Sequence, residues 1–218
     1  MEPENREILL RGAEAFGVDL AEGMIQTFDT YLRELLKWNQ KVNLTAIRTE
    51  KGVIIKHFLD SLSVYPYIPG YTSLLDIGSG AGFPGIPLKI VQTSLQVTLI
   101  DSVRKKVDFQ KHIVRLLGLK GIEAVHGRVQ EEEVVQKTAE RFDTTLSRAF
   151  SDTATFLHLS HLSLKRGGMA IAMRGKTTEE DIQRLSKKEG RRYRLQKHVS
   201  FVLPLSNFER TILLFEKQ

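Results

Sequence analysis

The sequence predicts an α/β fold: a doubly wound, mainly parallel sheet with an antiparallel terminal strand and a helical cap at its amino end. Three observations lead there. The first 65 of 218 residues place their apolar positions at helical spacing. From residue 73 onward, short apolar runs alternate with helical segments, the pattern of parallel strands joined by crossover helices. The chain then ends in two strand-like runs joined around Pro204-Leu205-Ser206-Asn207, the pattern of a hairpin.

The elements follow in order. Residues 6–17 and 21–41 read as helices, the second through Ile25, Phe28, Leu32, Leu35, Leu36 and Trp38. A third helix is expected over about 50–65, after the loop around Thr45-Ala46-Ile47-Arg48. Strands are expected near 73–77, 96–101, 122–126, 143–147 and 167–173. Helices are expected near 84–92, 103–117, 129–138, 152–163 and 178–188, and the hairpin over about 194–203 and 209–216. This divides the chain into a cap, 1–65, and a sheet domain, 66–218, with no internal repeat or flexible linker.

The sharpest motif is Leu74-Leu75-Asp76-Ile77-Gly78-Ser79-Gly80-Ala81-Gly82, followed by Phe83-Pro84-Gly85. A strand ends in a carboxylate and opens into alternating glycines, which bend the chain and let its backbone approach a ligand. Gly80, Gly82 and Gly85 satisfy the dinucleotide pattern G-x-G-x-x-G. Counted from the strand, however, the first glycine is Gly78, giving Asp-x-Gly-x-Gly-x-Gly. That register resembles the first motif of class I S-adenosylmethionine (SAM) methyltransferases. Asp76 then takes the cofactor's amino group, directly or through water. Asp101, about 20 residues beyond the glycines, is placed for ribose hydroxyls.

Other chemistries find less support. There is no cysteine, hence no disulfide, thiolate metal site or cysteine nucleophile. His158 and His161 lack a third metal ligand at a recognised spacing, so no metal is expected. Ala170-Ile171-Ala172-Met173-Arg174-Gly175-Lys176-Thr177 imitates a phosphate loop, but its first residues belong to a strand. Ser102 and Ser147 have no triad partners. The amino terminus has no signal-peptide profile and no apolar run approaches membrane-spanning length, so a cytoplasmic protein is expected. From Lys165 to Lys197 there are eleven Lys/Arg against four Asp/Glu, +7 locally against +6 for the chain. Lys187, Lys188, Arg191 and Arg192 form its centre. Such a surface is either solvated or attracts phosphate backbones.

A closer resemblance covers nearly the whole chain. Trp38 to Thr45, His57-Phe58-Leu59-Asp60-Ser61-Leu62, Asp76 to Pro87, Leu99 to Ser102, Ser147-Arg148-Ala149-Phe150 and Ala172-Met173-Arg174-Gly175 resemble the bacterial RsmG (GidB) family. The resemblance implies a Rossmann-like class I SAM methyltransferase acting on guanine N7 of 16S ribosomal RNA. It assigns Gly78, Gly80 and Phe83 to the SAM loop, with Phe83 lining the methionine or adenosine side. Asp101 and Ser102 fall on the ribose position. Val129 and Gln130 fall on a pair that contacts the adenine, although the family commonly has glutamate in place of Gln130. Arg148 falls at the end of the fourth strand, facing cofactor and substrate, and is the candidate for positioning the guanine or its phosphate beside an apolar face from Phe83 or Phe150. Arg128, Lys165 and Arg210 fall on the RNA side. Guanine N7 has a free lone pair, so no general base is expected. Implied partners are 16S rRNA, the 30S subunit or its assembly intermediate, with no membrane and a monomeric protein. Two other functions stay open: a SAM enzyme with a non-RNA substrate, and a non-catalytic rRNA-binding assembly factor.

Overall fold

The structure, a computed structural model, describes every residue except Tyr71, Ala149, Phe150 and Ser151. Among the described residues, seven strands form one sheet: β1 Ser73–Ile77, β2 Gln96–Asp101, β3 Ile122–His126, β4 Phe142–Ser147, β5 Leu164–Arg174, β6 Tyr193–Val202 and β7 Glu209–Lys217. Their order is β3-β2-β1-β4-β5-β7-β6. The first five run parallel, and β7 inserts antiparallel between β5 and β6. From β1 the chain builds outward through β2 and β3, then returns to place β4 on the other side of β1. At such a reversal two crossovers diverge and leave a crevice outside the carboxyl ends of the strands.

Helices cover both faces. The cap comprises α1 Pro3–Glu14, α2 Glu22–Val42 and a run made of α3 Glu50–Val53, a π-helical turn Ile54–Leu59 and α4 Asp60–Leu62. With α5 Gly85–Val91 and α6 Arg104–Leu116 it covers one face. The other face carries α7 Glu132–Thr138, α8 Thr153–Ser163 and α9 Glu179–Glu189. Leu9, Phe28, Leu32 and Phe58 of the cap join Leu74, Ile86, Leu99 and Phe109 in one buried cluster. Among the described residues, no helix is long and apolar enough to cross a membrane.

Three expected elements differ. The third helix widens at Ile54–Leu59, where Ile54, Ile55, His57, Phe58 and Leu59 are all buried. Single π-helical turns inside α-helices are frequent at functional sites. The helix expected from 129 starts at Glu132, because Val129 is tucked inward within the turn preceding it. β5 starts at Leu164 rather than 167, since left-handed Gly167 sits within a bulge that shifts its register against β4.

Candidate active site

The glycine loop hangs from neighbouring strands by its own backbone. The N–H groups of Gly78 and Ser79 donate to the Ile100 carbonyl at 2.9 and 3.0 Å. Gly80 N–H donates to Asp101 Oδ2 at 2.8 Å, and Asp101 Oδ1 accepts from Val103 N–H at 2.8 Å. Gly85 N–H donates to Asp76 Oδ2 at 2.8 Å. A Cβ at Gly85 would lie 2.4 Å from Leu99 Cδ2 and 3.0 Å from Asp76 Oδ2, so any larger residue there would displace both side chains. Gly80 has φ +61°, and the direction of its missing Cβ is open space.

Asp76 is fully buried, and its Oδ1 has no hydrogen-bond partner among the described residues. Burial raises its carboxyl pKa to about 7, helped by the charge of Asp101 and opposed by the Gly85 N–H and Arg148. An unpartnered, buried acceptor of this kind fits the ammonium group of SAM. Gln110 of α6, which the sequence reading passed over, supports the loop from below. It is fully buried and donates from Nε2 to Ser79 Oγ at 2.8 Å and to the Gly80 carbonyl at 2.7 Å.

Phe83 points toward the cap. It is only 3% exposed, stacked on Tyr31 at 5.3 Å and on His57 at 4.5 Å. Tyr31 also donates its hydroxyl to the Ala81 carbonyl at 2.6 Å. The cap therefore grips the glycine loop through both a ring stack and a hydrogen bond.

A chain of polar contacts joins segments that are far apart in sequence. Buried Asn39 accepts from Thr45 N–H at 2.9 Å and donates to the Ile47 carbonyl at 3.3 Å, which fixes the turn after α2. Thr45 Oγ1 lies 2.8 Å from His57 Nε2, and Arg148 lies 2.9 Å from His57 Nδ1. Arginine can only donate, so Nδ1 accepts and Nε2 carries the proton. Burial and the Arg148 charge push the His57 pKa down to about 3, which keeps the ring neutral. Arg148 also donates to the Lys56 carbonyl at 2.9 Å, lies 3.6 Å from Asp60 Oδ2, and sits 5.1 Å from the centre of the Phe83 ring. Burial lowers its pKa while Asp60 holds it up. Arg210 Nε donates to Asp60 Oδ1 at 2.7 Å. The pairing of Asp60 with the two arginines is not visible in local sequence.

The structure brings Asp76, Gly78, Gly80, Asp101, Phe83, Arg148 and Arg210 together at the carboxyl ends of the strands. Ser102, exposed after β2, and Arg128, Val129 and Gln130 after β3 lie along the same edge, with Val129 buried and Gln130 exposed. Lys165 lies elsewhere: it is the second residue of β5, at the amino end of the sheet, paired with Asp143 at 2.6 Å. Arg191 and Arg192 precede β6, whose Tyr193 pairs with Lys217, also toward the amino ends of the parallel strands. Lys187 and Lys188 close α9. Phe150 falls outside the described residues. The imitation phosphate loop is strand through Arg174, with residues 170–173 paired to β7.

The fold and the cofactor-shaped loop define a SAM-dependent methyltransferase. Among solved structures, a SAM-dependent methyltransferase from Aquifex aeolicus is similar over 75% of this chain and 93% of its own, with TM-score 0.59 at 17% identity. TYW2 of M. jannaschii, solved in complex with AdoMet, gives 0.53 at 16% identity over 68% and 70%. These likenesses show the fold. Residues 24–210 match the GidB family model, rRNA small subunit methyltransferase G. Proteins called ribosomal RNA small subunit methyltransferase G from Geotalea uraniireducens and Myxococcus xanthus are 41% and 40% identical, over 97% and 96% of this chain and 96% of each relative. The chain belongs to the rRNA small subunit methyltransferase G family.

Proposed function

We propose that the protein methylates N7 of a specific guanine in small-subunit (16S) rRNA. The observation that carries this reading is the arrangement opposite the glycine loop: Arg148 is held in place, and the one histidine beside it has its basic nitrogen already occupied. A site with a positioned cation and, among the described residues, no histidine free to take a proton suits an acceptor that already has a lone pair, as guanine N7 does. SAM, when bound, supplies an electrophilic methyl group. Asp76 and the backbone around Gly78 and Gly80 hold its amino-acid end, Asp101 and Ser102 its ribose, and Val129 with Gln130 the adenine edge. Arg148 orients the nucleotide so that N7 approaches the methyl in line, and proximity provides most of the acceleration. Arg128 and Arg210 at the same end attract the RNA backbone. Arg191 and Arg192, toward the amino ends like the already paired Lys165, and Lys187 and Lys188 at the neighbouring end of α9, add to that attraction where the substrate wraps around the sheet. The substrate is naked 16S rRNA or a 30S particle, met in the cytoplasm by a monomer.

The test is to map N7-methylguanine in small-subunit rRNA from cells with and without the protein, then to restore the mark with purified protein and SAM. One guanine should lose its methyl group in the deletion and regain it in vitro. An unchanged methylation map, together with RNA binding, would leave the assembly-factor function instead.

A further inference from the structure

Asp60 lies where three segments meet: the end of the π turn, the end of β4 and the start of β7. Its side chain is 4% exposed, between Arg210 Nε at 2.7 Å and Arg148 at 3.6 Å. The two arginine side chains stay 18% and 22% exposed. We propose that Asp60 is a positioning residue: its carboxylate fixes Arg148 and Arg210 as a pair facing the substrate nucleotide, without itself touching the reacting atoms. This rests on the methyltransferase reading above.

Several observations argue for it. Two guanidinium groups this close repel, and the Arg210 charge indeed works against protonated Arg148 while Asp60 favours it. With the carboxylate between them the trio carries +1 rather than +2, so the arginines can stay close. Stability alone does not require the arrangement, since buried ion pairs are often no better for folding than apolar side chains of similar volume. Each guanidinium has five N–H donors. Arg148 uses its terminal nitrogens on Lys56, His57 and Asp60, and Arg210 uses Nε on Asp60 and a terminal nitrogen on the Glu209 carbonyl. Among the described residues, N–H groups of both have no further partner, which leaves them for a ligand. The π turn contributes directly, because it presents the Lys56 carbonyl and the His57 ring to Arg148 one turn before Asp60.

The experiment compares Asp60→Asn, Asp60→Glu, Arg210→Gln and the double variant Asp60→Asn/Arg210→Gln with the parent. Single-turnover methylation of 16S rRNA is measured at saturating SAM and RNA, alongside RNA affinity across a salt series and thermal unfolding. Asp60→Asn should lower the rate at least about tenfold, the order expected when a reacting group is misplaced by a fraction of an ångström. Asp60→Glu should keep more of the rate than Asn. The double variant should fall no more than about twofold below the worse single variant, because both changes break one pair. RNA affinity and its salt slope should not drop in Asp60→Asn, since no cation has been removed. A rate near that of the parent, multiplicative losses, or a loss matching the unfolded fraction would overturn the proposal. So would a changed preference between guanine and inosine in the RNA, which would put the carboxylate on the base. If Asp60→Asn does not fold, Asp60→Glu and Arg210→Gln decide: parent-like rates in both overturn it. A parent protein without activity would count against the function rather than against Asp60.

Discussion

Arg148 and Arg210 sit at the carboxyl ends of the strands, mostly withdrawn from water and held by several partners each. Lys187, Lys188, Arg191 and Arg192 are exposed, around the end of α9 and the start of β6. The first pair is surrounded by a carboxylate, a neutral imidazole, two main-chain carbonyls and an aromatic ring. In the second group, the last turn of a helix is a favourable place for positive charge, and Arg192 reaches His158 at a long 3.5 Å. Equal formal charges therefore have different uses. A restrained guanidinium can define where a nucleotide sits, whereas a mobile, hydrated one adds attraction without direction.

The largest expected effect tests the restrained side. Arg148→Ala should lower the single-turnover rate about 100-fold at saturating RNA and SAM, because alignment is lost while chemistry stays intrinsically possible. His57→Ala removes a support of Arg148 rather than a base, and should lower the rate without abolishing it. The parent rate should also stay flat from about pH 6.5 to 8.5, across the usual histidine range. A steep rise in that window would require a base and weaken the N7 assignment.

On the exposed side, reversing all four charges at Lys187, Lys188, Arg191 and Arg192 should weaken RNA binding about tenfold or more at low salt and flatten its salt dependence, as fewer counterions are released. The rate at saturation and the affinity for SAM should remain. An unaltered salt slope would reduce this stretch to solvated surface.

Gly80→Val sharpens the comparison from the cofactor's side. The position is left-handed and its side-chain direction is open, so a branched residue would strain the loop and occupy space the cofactor approaches. SAM affinity should fall at least about tenfold, or roughly 1.4 kcal/mol, with RNA affinity retained. Calorimetry with each ligand separately checks both halves.

The smallest effect concerns acidity. With a folded pKa of about 7, raised by burial, Asp76 is partly protonated just below neutrality. Its stabilising contribution to the free protein is present below the unfolded pKa and is lost as pH rises through about 7. SAM binding has the opposite preference, since its ammonium needs the ionised carboxylate. Between pH 7 and 6 the affinity for SAM should therefore fall several-fold, up to about tenfold. Calorimetry in buffers of different ionisation enthalpy should also show proton release on binding. Constant affinity and no proton release would remove Asp76 as the amino-group partner.

Much of this was legible in sequence. The strand–helix alternation located the five parallel strands, and the hairpin pattern the last two, because apolar period and turn residues are local signals. The glycine register separated one cofactor class from another for the same reason. The polar chain from Asn39 to Arg210 was not legible, since its partners meet only after folding; Asp60 and Arg210 are 150 positions apart. Gln110 escaped because a lone amide on an amphipathic helix looks like surface. Lys165 was hard to place because its end of the sheet depends on where β5 begins, and Gly167-Gly168 disguised that start.

The ring of Phe83, lying between loop and cap, bears on how such proteins can be recombined. Tyr31 and His57 belong to the first 65 residues, yet they form one wall of the glycine loop. A chimera that grafts a foreign amino-terminal segment onto this sheet would leave the Ala81 carbonyl unmatched and an aromatic face bare. Substrate range in this architecture thus cannot be changed by exchanging caps as interchangeable modules; the cap and residues 78–85 have to be transplanted together.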